Sequence, residues 1–331
     1  MNTAHRIRVV QTTEGWNLTG PGSKHANKFL ERMRLRGLAA GSLRTYAFDL
    51  VNILRWLRKH SLQTGELNTD RFYQFLSDNR ERLKPVTMNR LLRLMDRWAR
   101  MDQPDAAESI CARRWPRKPR SVPYVKEPRT IRRPLTDRQV RQMIEGLKTH
   151  RDRAIAGLMW AMGLRIGEVL SLCAADIDWE HRNVLVHGKG NRERSLPLPG
   201  TVGELIRRYL DLERPRPCAA EQVIVVLKGP RRGQPLSYAG VRRLFRYYRQ
   251  RLNLPSAHPH RFRHTFAANM IRQGLSVTML MRLLGHTWIT TTLKYLHFDD
   301  KELRSHYEKA LSRLASSGDG TSKDNSPLLQ S

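Results

Sequence analysis

Six side chains in this sequence can donate, accept or exchange protons where helices or turns should begin or end. They are Arg165 in GLRIGEVLSL, Lys189 in HGKGNRE, His260 and Arg263 in HPHRFRHTFA, and His286 and Tyr295 in LLGHTWITTTLKY. The chemistry open to such a set is attack by a phenol on a phosphate. A phenol has a reference pKa of about 10, so Tyr295 is a nucleophile at neutral pH only where a neighbour takes its proton and the site favours the phenolate. Phosphoryl transfer concentrates charge on equatorial oxygens, and forked guanidiniums such as those of Arg165 and Arg263 match that charge. Taken singly, each residue has an ordinary structural explanation. Arg165 stands three residues before Glu168, the spacing of an intrahelical ion pair. Lys189 at a glycine-flanked turn is a position for a solvated lysine, His260 and His286 can satisfy local backbone groups, and Tyr295 beside Leu293 and Leu296 fits a core tyrosine. His260 and His264 at i, i+4 suit a metal on a helix, but no carboxylate or third ligand accompanies them, so no metal is expected.

The chain that must position these residues has 331 residues, with 60 Lys and Arg against 30 Asp and Glu, a formal charge of +30. Its apolar content of 40% is enough for two cored domains and too high for a disordered basic tail. Such a field recruits polyanions, nucleic acid above all, because neutralising phosphates releases condensed counterions. The run AIAGLMWAMGL, 154–164, is too short to span a bilayer, and the N-terminus lacks the apolar stretch of a secretory signal. A soluble, intracellular protein is expected. Cys111, Cys173 and Cys218 stand far apart with no C-x-x-C, which speaks against a disulfide framework or zinc site.

Helical periodicity predicts a helix over 24–36 ending at Gly37, a longer one capped by Ser42, a third capped by Thr69, and a fourth after Pro85. Arg44 lies off the apolar stripe of the second helix, and Arg90, Arg93 and Arg97 crowd the fourth. Individually they read as a solvated face, and together they tip that surface toward a phosphate backbone. From Pro104 to Pro134 the pattern dissolves into a proline- and arginine-rich stretch containing Arg117 and Lys118, expected to be a linker running along the ligand. Thr136 and Gln139 form a capping-box signature for a helix through Leu147, followed by an apolar helix from Asp152 to Met162. Extended runs at 184–186 and 194–198 flank a Gly-Lys-Gly-Asn turn, which is β-hairpin chemistry. A helix over 202–212 and a strand over 223–227 are expected next, then helix to about Leu314 and a polar, disordered tail.

The order Arg, Lys, H-x-x-R, L-L-G-H and Tyr resembles the tyrosine recombinases, or phage integrase family, over about Lys24 to Leu314. Phe262, where leucine is commoner, and a long basic linker are departures that touch no catalytic position. The resemblance implies a mainly α fold with a small antiparallel β-sheet. A helical, SAM-like core-binding bundle and an α+β catalytic domain would form a C-shaped DNA clamp. It implies an N-terminal extension at 1–23, a DNA-binding bundle at 24–103, a basic linker at 104–133, a catalytic domain at 134–314 and a tail at 315–331. Its implied catalytic set is Tyr295 as nucleophile, Arg165 and Arg263 on the phosphate, His260 as proton partner of the tyrosine, His286 as a phosphate donor and Lys189 as general acid, with Glu168 orienting Arg165. No metal or other cofactor is implied. The expected partner is a double-stranded recombination site, bound by a homotetramer or by a heterotetramer with a paralogous recombinase, in bacterial cytoplasm at the nucleoid and away from membranes. The expected activity is strand exchange through a 3′-phosphotyrosine and a Holliday junction, serving a mobile element or the resolution of replicon dimers. A type IB topoisomerase and a catalytically silent DNA-binding protein on the same scaffold are the competing readings.

Overall fold

The computed structural model describes residues 6–13, 15–102, 122–128, 133–188, 192–285, 307, 308 and 312. The chain divides into two compact units, Met1–Thr130 and Ile131–Ser331. Both are dominated by helices, with small antiparallel sheets.

The first unit opens with a hairpin, β1 (Arg8–Thr12) and β2 (Gly15–Thr19), in a region with no predicted element. Two five-residue strands are marginal alone. Here Ile7 and Leu18 are buried, and the Asn27 side chain accepts from the Leu18 N–H at 2.7 Å and donates to its carbonyl at 2.9 Å. The amide thus does for β2 what another strand would do.

Helices α1 (Ser23–Leu35), α2 (Ala40–Lys59), α3 (Thr69–Asn79) and α4 (Pro85–Asp102) follow. Their apolar stripes meet around Phe29, Leu50, Ile53, Phe75 and Trp98. Two caps differ from the expected ones: α2 begins after Ala39 with Ser42 inside it, and Asn68, one residue before Thr69, accepts from the Arg71 N–H at 3.0 Å. Residues 122–128, inside the expected linker, are held to α4. Asn89 receives the Val125 N–H at 2.9 Å and donates to its carbonyl at 2.8 Å, while Val122 and Val125 pack on the same core.

The second unit is entered through Leu135, whose N–H donates to the buried Thr265 hydroxyl at 2.9 Å. The Thr136–Gln139 capping box starts α5 (Asp137–Gly146) as expected. Next comes α6 (His150–Ala161), the central helix, buried from Ala154 through Met159 and packed against α8 (Gly200–Leu212) and α10 (Pro259–Arg272). A helix covered on nearly every side has no reason to be amphipathic, which explains its unbroken apolar run. The sheet has order β3 (Ile177–Asp178), β4 (Asn183–Gly188), β5 (Arg192–Pro197), with Val186 opposite Arg194 and Gly188 opposite Arg192. The expected strand over 223–227 is not a strand. Val223, Ile224 and Val225 are buried in the core, but only isolated bridges, Cys173 to Gln222 and Val225 to Pro235, involve this stretch. Among the described residues of this unit there are also helices α7 (Ile166–Ser171), α9 (Tyr238–Arg251) and α11 (Val277–Leu284).

Candidate active site

The site begins where α6 stops. Gly163 has φ +65°, and a Cβ there would lie 2.4 Å from Phe266 Cδ1, so only glycine fits both the left-handed turn and the packing. The turn puts Arg165 at the N-cap of α7. Its N–H donates to Glu168 Oε2 at 2.9 Å and its Nη1 to Oε1 at 2.8 Å. The ion pair expected from the spacing is therefore present, but at a helix start, where the Glu168 carboxylate accepts both the N-cap N–H and the guanidinium, not between two turns of a helix.

Glu168 is buried and serves several cations. Arg194 grips it with a fork, Nη2 to Oε2 at 2.9 Å and Nη1 to Oε1 at 3.2 Å, and Arg263 Nη1 stands 3.6 Å from Oε2. Burial alone would raise the Glu168 pKa. The hydrogen bonds from Arg194 and the Arg165 N–H, with the charges of Arg194 and Arg263, outweigh it and hold the carboxyl below its ordinary range.

The same guanidiniums meet the end of α11. Arg194 Nε donates to the Leu283 carbonyl at 2.8 Å, and Arg165 Nη1 and Arg263 Nη2 donate to the Leu284 carbonyl at 3.2 and 2.7 Å. The last carbonyls of a helix lack intrahelical partners and carry the negative end of its dipole, so cations there are favoured. Gly285, at φ +63°, ends the helix. Arg263 is buried, with its other Nη on the Gly163 carbonyl, whereas the Arg165 side chain keeps 39% exposure.

His260 is exposed in the first turn of α10 and borders a cleft of about 690 Å³ that Ile166, next to Arg165, also lines. Arg242, Arg246 and Arg249 of α9 and Arg261 of α10 line this cleft. Lys189, His286 and Tyr295 lie outside the described residues, as do Arg117 and Lys118. The ends of their segments, Gly188 and Arg192 on the hairpin and Gly285 after α11, are described.

With this geometry in hand, the sequence model of the phage integrase family matches residues 133–302. The chain belongs to the phage integrase family, the tyrosine recombinases. Among its relatives, a Staphylococcus aureus protein named tyrosine recombinase XerC is 28% identical over 295 residues, covering 85% of this chain and 94% of the relative. Two solved structures share the fold. A XerH site-specific recombinase bound to a palindromic difH substrate aligns with TM-score 0.65 and 19% identity over 86% of this chain and 84% of that one. The Tn1549 transposon integrase in complex with circular intermediate DNA aligns with TM-score 0.64 and 20% identity over 86% and 98%.

Two features of this integrase-family chain escaped the sequence reading. Arg194 passed as an ordinary strand residue, although period-two alternation puts it on the face of Leu196, where a charge needs partners. The cleft arginines of α9 recur at helical spacing on a stripe beside the buried one of Val241, Phe245 and Tyr248, a signal the sequence did carry.

In the first unit, the flagged arginines already have partners. Arg44 lies over the rings of Trp16 and Phe48, 5.3 and 5.5 Å from their centroids. Arg97 donates to the Tyr46 hydroxyl at 2.6 Å, and Arg93 to the Asn89 carbonyl at 2.9 Å. Arg90 forms two 2.8 Å contacts with buried Asp49, so it first answers a carboxylate inside the protein.

Proposed function

We propose that this protein is a site-specific DNA recombinase that cuts and rejoins its target through Tyr295. The observation that carries this reading is the convergence of Arg165 and Arg263 on Glu168 and on the Leu284 carbonyl, just ahead of His286. That convergence supports the reading because a phosphate bound there would meet both charges, and the exposed histidine of the H-x-x-R helix borders the adjoining cleft.

In this reading the Tyr295 Oη attacks the scissile phosphorus and the bond from phosphorus to the 5′ oxygen breaks. His260 accepts the phenol proton and Lys189 protonates the departing oxygen. Arg165 and Arg263 face the charge on the non-bridging oxygens, and His286 donates to one of them. Glu168 holds Arg165. The product, a 3′-phosphotyrosine, is close in energy to the diester, so the 5′ hydroxyl of a second duplex reverses the step without an external energy source. The cleft arginines and the arginines of α2 and α4 would hold the flanking backbone, with four protomers on two sites.

The test uses duplexes selected by the protein from a random pool and rebuilt with a nick at each spacer position in turn. Wild type should trap a covalent complex, and Tyr295→Phe should bind the same duplex and trap nothing. Trapping by the phenylalanine variant would remove Tyr295 from the mechanism.

A further inference from the structure

We infer that Arg194 is a positioning residue for the phosphate site, acting through Glu168 and the end of α11; the inference rests on the recombinase reading above. An arginine on the core side of a strand is costly unless every part of its guanidinium is used. Arg194 is only 12% exposed, and its Nε, Nη1 and Nη2 all have partners: the Leu283 carbonyl, Glu168 Oε1 and Glu168 Oε2. It thus connects three pieces of chain: β5, which follows Lys189 in the sequence; α7, which Arg165 caps; and α11, which ends just before His286 in the sequence.

Two physical effects follow. The first is electrostatic. Among the described residues, Arg165, Arg194 and Arg263 oppose one carboxylate in this cluster, so three positive charges less one negative leave a formal +2. Without Arg194 the remainder is +1, because Glu168 would offset half the charge of the pair that faces the phosphate. The second is geometric. By engaging both oxygens of Glu168 from the strand side, Arg194 fixes the carboxylate that aims Arg165. A Cβ on Gly285 would also lie 3.1 Å from Arg194 Nη1, so the turn out of α11 is built against this guanidinium. Lysine keeps the charge but has no planar fork, and cannot hold both carboxylate oxygens and the Leu283 carbonyl together.

The experiment is a double-variant cycle with Arg194→Ala and Glu168→Gln, plus Arg194→Lys. It reads affinity for the selected duplex, single-turnover formation of the covalent complex on its nicked form, and unfolding by denaturant. Arg194→Ala should slow covalent-complex formation about 100-fold, the scale of a small misplacement of reacting groups. Its affinity should stay within about threefold of wild type, because most of the binding comes from other phosphate contacts. Arg194→Lys should remain at least about tenfold slow, since charge without the fork does not restore the geometry. The double variant should be no more than about threefold slower than its slower parent, because both substitutions remove one interaction. A slowing that multiplies, full activity in Arg194→Lys, or parallel loss of affinity and rate would each overturn the inference. If Arg194→Ala fails to fold, the lysine variant and its own cycle with Glu168→Gln decide the matter. If wild type traps nothing, the recombinase reading fails, and the unfolding cycle still decides whether Arg194 acts through Glu168: additive losses of stability would refute it.

Discussion

At the scale of single residues, the site is a charge cluster closed by packing. Glu168 makes this measurable. Its folded pKa lies below the ordinary 4.5, so its contribution to stability is complete above that pH and is lost as pH falls through the folded value. The stability difference between wild type and Glu168→Gln should be greatest near neutrality, about 3 kcal/mol for breaking a buried ionic network. It should shrink below pH 4.5 in denaturant titrations, and a difference constant down to pH 3 would contradict the ionic account. Gly163→Ala meets both a positive φ and the Phe266 ring, and should cost about 2 kcal/mol or more in the same measurement. A loss below about 0.5 kcal/mol would show that the turn relaxes freely. The Arg165–Glu168 pairing was legible in the sequence because the two lie three positions apart. Arg194 reaches the same carboxylate from 26 positions away, and that meeting depends on how β5 packs against α7.

At the scale of elements, the β4–β5 pair has a proton-dependent brace one register position from its Gly188–Arg192 end. His187 Nε2 lies 2.8 Å from Asp176 Oδ1, and its Nδ1 lies 3.0 Å from Glu193 Oε1, so both ring nitrogens face carboxylates and the charged ring satisfies both. The hydrogen bond to Asp176 leads in raising its pKa above the ordinary 6.5; burial opposes this, and the Asp176 charge and Glu193 add to it. A raised folded pKa contributes stability that is full below pH 6.5 and lost as pH rises through the folded value. Amide exchange across β4 and β5 should therefore quicken at alkaline pH, beyond the intrinsic rate change, in wild type but not in His187→Gln. Equal profiles would show that the brace does not govern the hairpin. Elements with a strong repeating pattern, α1 to α5 and the β4–β5 pair, could be read from the sequence, and α6 from its unbroken apolar run. The β1–β2 hairpin could not, because part of its edge is satisfied by the Asn27 side chain and not by a further strand. The stretch 223–227 misled because burial in a core and strand pairing both select apolar, β-branched residues.

At the scale of the whole molecule, the charge of +30 is distributed over units with separate cores. A fragment of residues 1–130 should fold alone and melt cooperatively, since its core and the strap at 122–128 are complete within it. A fragment without a cooperative transition would show that it depends on the second unit. For the full chain, raising salt from 50 to 200 mM should weaken binding of the selected duplex about a thousandfold or more if six or more phosphates are engaged. A flat response would rule out a backbone-tracking surface. Two units and a helical majority were evident from composition and periodicity, whereas the attachment of 122–128 to α4 was hidden behind a proline-rich composition that reads as linker.

The carbonyls ending α11 bear on how the site would receive a ligand. They are the partial negative charge that the clamp holds in this structure, a resident substitute for an anion. In the proposed reading an arriving phosphate would compete with the protein's own backbone, and the two arginines are held unequally. At the Leu284 oxygen, Arg165, half-buried and 3.2 Å away, would give up less than Arg263, buried and 2.7 Å away. Capture would thus be sequential: the outer guanidinium changes partner first, and the inner one keeps hold of the helix end that leads to His286.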